Sequence, residues 1–232
     1  MTIEEFVTSA EKINITITPE MSASFEKYCA LLMEWNEVMN LTAIKNKDEI
    51  IEKHFHDCLL PFTNEKPSGT AADIGSGAGF PGLVWKIAFP ELKVVLIEPT
   101  GKRCKFLNEV IQQLQLKDII VYNDRAEEHV LKHREEYDIV TARAVANLSV
   151  LAEICVPLLK VGGQFIAMKG MQGHSEALQA QHAMDVLGCT LSREEHTSLS
   201  EGDNRVNLFY TKTSSTPSQY PRNYGRIKSK PL

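Results

Sequence analysis

The chain has 232 residues, 43% of them hydrophobic and 24% charged, an ordinary globular balance at a length that requires no metal or disulfide staple. Its first residues, MTIEEFVTSAEKI, are acidic and lack the basic start and apolar run of a signal peptide. No stretch reaches the roughly 18 apolar residues of a membrane span, so a cytoplasmic protein is expected. The formal net charge of −5, taken as a sum, argues against a nucleic-acid partner.

Residues 1–66 read as a helical extension. Thr18 is placed to cap a helix that begins at Pro19, with Glu20 in the first turn where the helix dipole favours an anion. Met21, Phe25, Tyr28, Leu32, Trp35 and Met39 follow at spacings of three and four, one apolar stripe whose expected role is core packing. A second helix is expected over 48–60, stopped by Pro61, and EKPSG at 65–69 reads as a turn. The histidines His54, His56, His129 and His133 have no neighbours to complete a metal site. The five cysteines, Cys29, Cys58, Cys104, Cys155 and Cys189, are scattered without a C-x-x-C pair, so reduced thiols and no metal are expected.

From Thr70 short β-rich runs alternate with helical ones. Strands are expected at 70–74, 93–98, 119–123, 137–142, 163–169, 190–196 and 205–211. The last gap is too short for a helix and suits a hairpin-like return. The fold class is therefore α/β, Rossmann-like, with a mostly parallel seven-stranded sheet covered by helices on both faces; it occupies 67–212. Residues 213–232 are rich in Pro, Ser and Lys and read as an irregular basic arm. From Asn204 onward there is no acid and there are six bases: Arg205, Lys212, Arg222, Arg226, Lys228 and Lys230. A basic end on an acidic body suits either a contact with a polyanion or a solvated tail.

The strongest local signal is Asp73-Ile-Gly-Ser-Gly-Ala-Gly-Phe-Pro-Gly82, directly after the first strand. Gly75, Gly77 and Gly79 permit a turn that a ligand can approach closely. Glu98, at the end of the second strand, is placed to accept from a ribose diol. The third glycine comes one residue too early for a dinucleotide fingerprint. Asp73 at the strand tip suits the cationic groups of S-adenosyl-L-methionine better than a pyrophosphate. Asp124-Arg-Ala-Glu127 after the third strand is placed to hold an adenine edge. Arg143 and Lys169 end later strands at the carboxyl edge, where open α/β sheets bind ligands.

Together these pieces resemble the ribosomal small-subunit RNA guanine-N7 methyltransferases, the family also called glucose-inhibited division protein B. The motifs are Trp35-Asn36, Asn40-Leu41-Thr42, His54-x-x-Asp57, the glycine loop, Lys102-Arg103, Phe106-Leu107, Ala126-Glu127, Thr-Ala-Arg-Ala-Val-Ala at 141–146, Lys169-Gly170, Tyr220-Pro221-Arg222-x-x-Gly225 and Pro231-Leu232. The resemblance implies methyl transfer from S-adenosyl-L-methionine to N7 of a guanine in 16S ribosomal RNA or the small ribosomal subunit. It implies cofactor positions at Gly75, Phe80, Ala126, Glu127 and Arg143, with Glu98 on the ribose. Cys58 stands where the family usually has serine, and Glu98-Pro99 replaces an acid-serine step.

The chemistry agrees. Guanine N7 carries a lone pair and no proton, so positioning is needed and a general base is not. Methylation of an exocyclic amine usually needs an Asn/Asp-Pro-Pro-aromatic tetrad, where this chain has Thr-Ala-Arg-Ala; attack at pyrimidine C5 needs a cysteine, and no Pro-Cys occurs. Arg143 and Lys169 are the candidates for substrate contact, and Arg222, Arg226, Lys228 and Lys230 for RNA phosphates. The alternatives are another RNA, a small molecule or a protein as acceptor. More distant ones are an NAD-dependent oxidoreductase and a non-catalytic RNA-binding module. A monomer is expected.

Overall fold

The computed structural model describes residues 1–63, 65–143, 145–199 and 202–232. Ala144, inside the 141–146 motif, and Ser200 and Glu201, inside the expected return before the last strand, lie outside the described residues.

The helical extension opens with α1 (Ile3–Lys12), whose first turn is closed by a capping box: Glu5 N–H donates to Thr2 Oγ1, and Thr2 N–H to the Glu5 carboxylate. Helix α2 (Pro19–Met39) starts under Thr18, whose hydroxyl accepts from Met21 N–H. The expected second helix is three pieces: α3 (Lys47–Ile50), a π-helical stretch Ile51–His56, and α4 (Asp57–Leu59), with a 3₁₀ turn Leu60–Phe62 beyond. Phe6, Phe25, Tyr28 and Phe55 cluster with ring centroids 5.0–6.4 Å apart and tie these pieces into one apolar body.

The sheet has the order β3-β2-β1-β4-β5-β7-β6. Its strands are β1 (Thr70–Ile74), β2 (Lys93–Ile97), β3 (Ile119–Tyr122), β4 (Tyr137–Arg143), β5 (Leu159–Gly170), β6 (Cys189–Ser198) and β7 (Asn204–Lys212). The first five run parallel, and β7 lies antiparallel between β5 and β6. Because alternate side chains leave opposite faces, two cores form. One packs β1 and β2 against α1, α2, α5 (Gly82–Ala88) and α6 (Gly101–Gln113). The other packs the opposite face against α7 (Ala126–His133), α8 (Leu148–Cys155), α9 (Gly173–Gln179), α10 (Gln181–Leu187) and α11 (Tyr224–Ser229). Among the described residues no helix is long and apolar enough to cross a membrane, and no three His, Cys, Asp or Glu side chains converge on a common metal position.

The C-terminal arm is fastened down and carries α11, a helix its composition does not announce. Arg134 donates to the carbonyls of Thr216 and Tyr220, both at 2.7 Å, and Ile227 is fully buried. Half of the six terminal bases are paired inside the fold: Arg205 with Asp57 and Asp203, Lys212 with Glu135, and Arg222 with Glu153. Only Arg226, Lys228 and Lys230 are exposed, so the basic end is weaker as a polyanion-binding feature than its composition suggests.

Candidate functional site

The glycine loop turns directly off β1. Gly75 N–H donates to Ile97 O at 2.8 Å, and Gly75, Gly77 and Gly79 all have φ between +58° and +96°. Two of these glycines are also sterically compelled. A Cβ on Gly75 would come within 2.9 Å of Val145, and one on Gly79 within 2.8 Å of the Tyr28 hydroxyl. That hydroxyl donates to Ala78 O, so α2 props the loop from below. Gly77 differs: a Cβ there would meet nothing nearer than Gly75 O at 3.7 Å, which leaves its backbone open to a ligand.

Asp73 does not line the ligand space. Strand alternation turns its side chain beneath the loop, where one carboxylate oxygen accepts from Gly82 N–H at 2.9 Å. The other oxygen has no hydrogen-bond partner among the described residues. Burial pushes the group up to about 7, against which the Gly82 hydrogen bond works. Asp73 thus shapes the loop and the start of α5 from beneath, and is not among the residues that wall the cleft above the loop.

A cleft of about 410 Å³ opens above the loop, walled by residues 75–78, Phe80, 98–100, Arg103, Leu41, Thr42, His54, Arg143 and Val145. Its volume suits a small-molecule site. Glu98, 1% exposed, faces it; one carboxylate oxygen accepts from Gly77 N–H at 2.9 Å and the other from Thr100 N–H at 2.8 Å. Pro99 lies on the wall beside it. Ala126 and Glu127 open α7 on the same sheet edge but do not line this cleft.

A second cleft, also about 410 Å³, adjoins the first. It is lined by Asp57, Arg143, Val145, Ala146, Met168, Lys169, Gly170, Glu176 and Arg205. Arg143 and Val145 belong to both walls. Arg143 is held from the π-helical stretch and α4: it pairs with Asp57 Oδ2 at 3.2 Å and donates to Cys58 Sγ at 3.2 Å and Lys53 O at 3.3 Å. Arg205 Nε pairs with the other Asp57 oxygen at 3.2 Å. Lys169 Nζ lies 2.8 Å from Glu176 Oε2 and donates to Ala146 O at 2.6 Å. The second cleft therefore presents three cations fixed by buried or half-buried acids.

The structure brings together Gly75, Gly77, Phe80, Glu98 and Arg143 at the first cleft and Arg143 with Lys169 at the second. It leaves the arm residues Arg222, Arg226, Lys228 and Lys230 off both walls. Arg222 makes a forked contact with the fully buried Glu153, through Nε at 2.8 Å and Nη2 at 2.6 Å. Sequence reasoning assigned no site role to Glu176, counted Arg205 only among the terminal bases, and had His54 and Asp57 only as a motif without a role. The His54-x-x-Asp57 spacing sets both side chains toward one neighbour; Glu176 follows Lys169 by seven residues on the next helix, and only the sheet order carries Arg205 on β7 beside β5.

A family model described as rRNA small subunit methyltransferase G matches residues 21–205. A protein of Geobacillus sp. (strain WCH70) named ribosomal RNA small subunit methyltransferase G is 44% identical over 237 residues, covering all of both chains. Its namesake in Ligilactobacillus salivarius (strain UCC118) is also 44% identical over the whole of both chains. Among solved structures, a mutant 16S rRNA (adenine(1408)-N(1))-methyltransferase from Catenulisporales acidiphilia, crystallised with its cosubstrate SAM, aligns with a TM-score of 0.53 at 13% identity. The alignment covers 66% of this chain and 88% of that one. The YcgJ protein from Bacillus subtilis aligns with a TM-score of 0.53 at 13% identity, over 70% of this chain and 100% of that one. These two structural likenesses concern the fold alone.

Proposed function

Because the chain belongs to the rRNA small subunit methyltransferase G family, we propose that it transfers a methyl group from S-adenosyl-L-methionine to N7 of a guanine in 16S ribosomal RNA, free or within the small subunit, in the cytoplasm. The observation that carries this reading is the pair of adjoining clefts that share Arg143: one built around a glycine loop and a buried acid, the other around three fixed cations.

The first cleft fits the cofactor. Gly77 N–H, a donor that a pyrophosphate would need, is already engaged by Glu98, and the open space over Gly77 admits an uncharged or cationic group instead. Glu98 accepts one hydrogen bond on each oxygen and keeps lone pairs for the ribose diol. Residues 75–78 and Phe80 hold the remainder, and Ala126 and Glu127, on the same sheet edge outside the cleft wall, meet an adenine that extends beyond it. When bound, the cofactor supplies an electrophilic methyl group on a sulfonium.

The chain's own part is positioning. Direct displacement needs the nucleophile in line with the methyl group, and fixing that geometry supplies much of the acceleration. Arg143 and Lys169 donate to the guanine O6 edge or its phosphate and leave N7 free, and Arg205 adds a third cation to the same wall. N7 has no proton to lose, so no general base is needed, and Asp57 and Glu176 are each paired with a cation. A-form RNA hides the N7 edge in a narrow groove, so the target is an unpaired guanine. The exposed Arg226, Lys228 and Lys230 contact phosphates away from the reacting base.

The test is labelled-methyl transfer from S-adenosyl-L-methionine to small-subunit particles lacking the modification, followed by cleavage specific for N7-methylguanine. One cleavage in the 16S RNA is the expected result. Label without that cleavage overturns the guanine-N7 assignment, and cofactor binding without label overturns the RNA substrate.

A further inference from the structure

His54 stands in the wall of the first cleft, against the Arg143 that both clefts share, and nothing in the chemistry above uses it. Its ring stacks on Phe80 with centroids 4.4 Å apart at 26°. Its Nδ1 faces Arg143 Nη2 and its Nε2 lies 2.8 Å from Thr42 Oγ1. A guanidinium only donates, so Nδ1 must accept and the ring proton must sit on Nε2, where the Thr42 oxygen accepts it. Lys53 O, 3.1 Å from Nδ1, then takes its hydrogen bond from Arg143 instead. Thr42 is itself immobile: its hydroxyl oxygen accepts from Ile44 N–H at 3.1 Å, and its backbone exchanges two 2.9 Å hydrogen bonds with the Asn36 amide. Burial, together with the adjacent Arg143 charge, pushes the imidazole down to about 3, so the ring is neutral at any working pH.

We infer that His54 is a positioning residue: a neutral acceptor, with its tautomer set by Thr42, that aims the Arg143 guanidinium at the junction of the two clefts. Asp57 holds Arg143 by charge, and Cys58 Sγ and the carbonyls of Lys53 and His54 hold it through long contacts of 3.2–3.5 Å, which together tolerate a range of orientations. The ring nitrogen Nδ1, nearer to Nη2 than the Lys53 carbonyl, narrows that range, and Phe80 beneath both groups, with the guanidinium carbon 5.4 Å from its ring centre, limits the remaining tilt. A histidine kept only for packing would be served equally well by phenylalanine. The inference rests on the proposed contact of Arg143 with substrate.

The experiment compares His54→Phe, His54→Gln and Thr42→Val with the wild-type chain, reading kcat and KM on unmodified particles, cofactor Kd by calorimetry, and Tm. His54→Phe keeps the stack and removes the acceptor. It should lower kcat about a hundredfold, the scale of an ångström-sized misplacement, while cofactor Kd stays within about threefold. His54→Gln, which restores an acceptor, should recover most of that loss. Retained kcat in His54→Phe, or equal losses in the Phe and Gln variants, overturns the inference. Nitrogen NMR of the ring keeps it testable without turnover and whatever the substrate is. The wild-type protein should show the Nε2–H tautomer unchanged from about pH 5 to 8, and Thr42→Val should mix the two tautomers. A wild-type ring protonated on Nδ1, or one that titrates, overturns it.

Discussion

Two acids at the head of the sheet have the same side-chain chemistry and opposite surroundings. Glu98 faces the cofactor cleft with both oxygens receiving backbone N–H groups. Glu98→Gln should weaken cofactor binding by about 1.5–3 kcal/mol, the worth of a hydrogen bond to a charged group, and calorimetry checks it. Asp73 lies under the loop, and burial raises it to about 7 from 3.8. The folded state therefore keeps a proton that the unfolded chain releases near pH 4. Its contribution to stability is full below that pH and is lost as the pH rises through 7. Asp73→Asn removes this loss while keeping an acceptor for Gly82. The variant should gain on the wild type between pH 4 and 7, at up to about 1.4 kcal/mol per pH unit, as read by chemical denaturation at each pH. Cys58, in place of the family's usual serine, still accepts from Arg143, and its thiol is pushed up to about 12 by burial, so it stays a neutral packing group.

At the scale of the element, α2 does more than cover the sheet. Its apolar stripe fills the core as the spacing of Phe25, Tyr28 and Leu32 indicates. The same stripe delivers the Tyr28 hydroxyl to Ala78 O, through which the extension holds the glycine loop. Tyr28→Phe should cost about 1–2 kcal/mol of stability by leaving a buried carbonyl unpaired. It should also shrink the thermal shift produced by S-adenosyl-L-methionine, because a looser loop binds less tightly. An unchanged shift would show that the loop holds its shape without α2. The π-helical stretch Ile51–His56 has a comparable role. It faces Arg143 with the carbonyls of Lys53 and His54, at 3.3 and 3.5 Å, together with the His54 ring, and α4 adds Asp57 directly after it. An amphipathic pattern over 48–60 announces a helix but not its change of pitch, since the apolar spacing tolerates one extra residue per turn.

For the whole molecule, the two cores put the helical extension on one face of the sheet and the arm on the other. The arm is anchored structurally by Arg222. Arg222→Ala leaves the buried Glu153 without its cation and should cost about 3–5 kcal/mol in denaturant unfolding. Replacing the exposed Arg226, Lys228 and Lys230 together by alanine should leave stability nearly intact. If these three meet phosphates, the slope of log K against log salt for RNA binding should flatten by about 2. A stable triple variant with an unchanged slope would remove the arm from the RNA contact and leave that role to the second cleft.

Several features were decided by the sequence itself because each depends on local chemistry. The seven strands fall within a few residues of their expected bounds, since β-branched runs and their turns act over short spans, and the Thr18-Pro19 start of α2 is written in adjacent residues. The positive φ of the glycine loop follows from Gly75, Gly77 and Gly79 being the residues that adopt it most readily. What only the tertiary structure decided is which charges are free. Arg143, Lys169, Arg205 and Arg222 look alike along the chain. Lys169 meets Glu176 seven residues on and Arg205 meets Asp203 two residues before it, but the other acid partners lie 86, 148 and 69 residues away, Asp57 for Arg143 and for Arg205 and Glu153 for Arg222, brought close by the sheet order and the packing of helices across it. Charge acts through space, so the division of these bases between substrate wall and structural anchor had to wait for the fold.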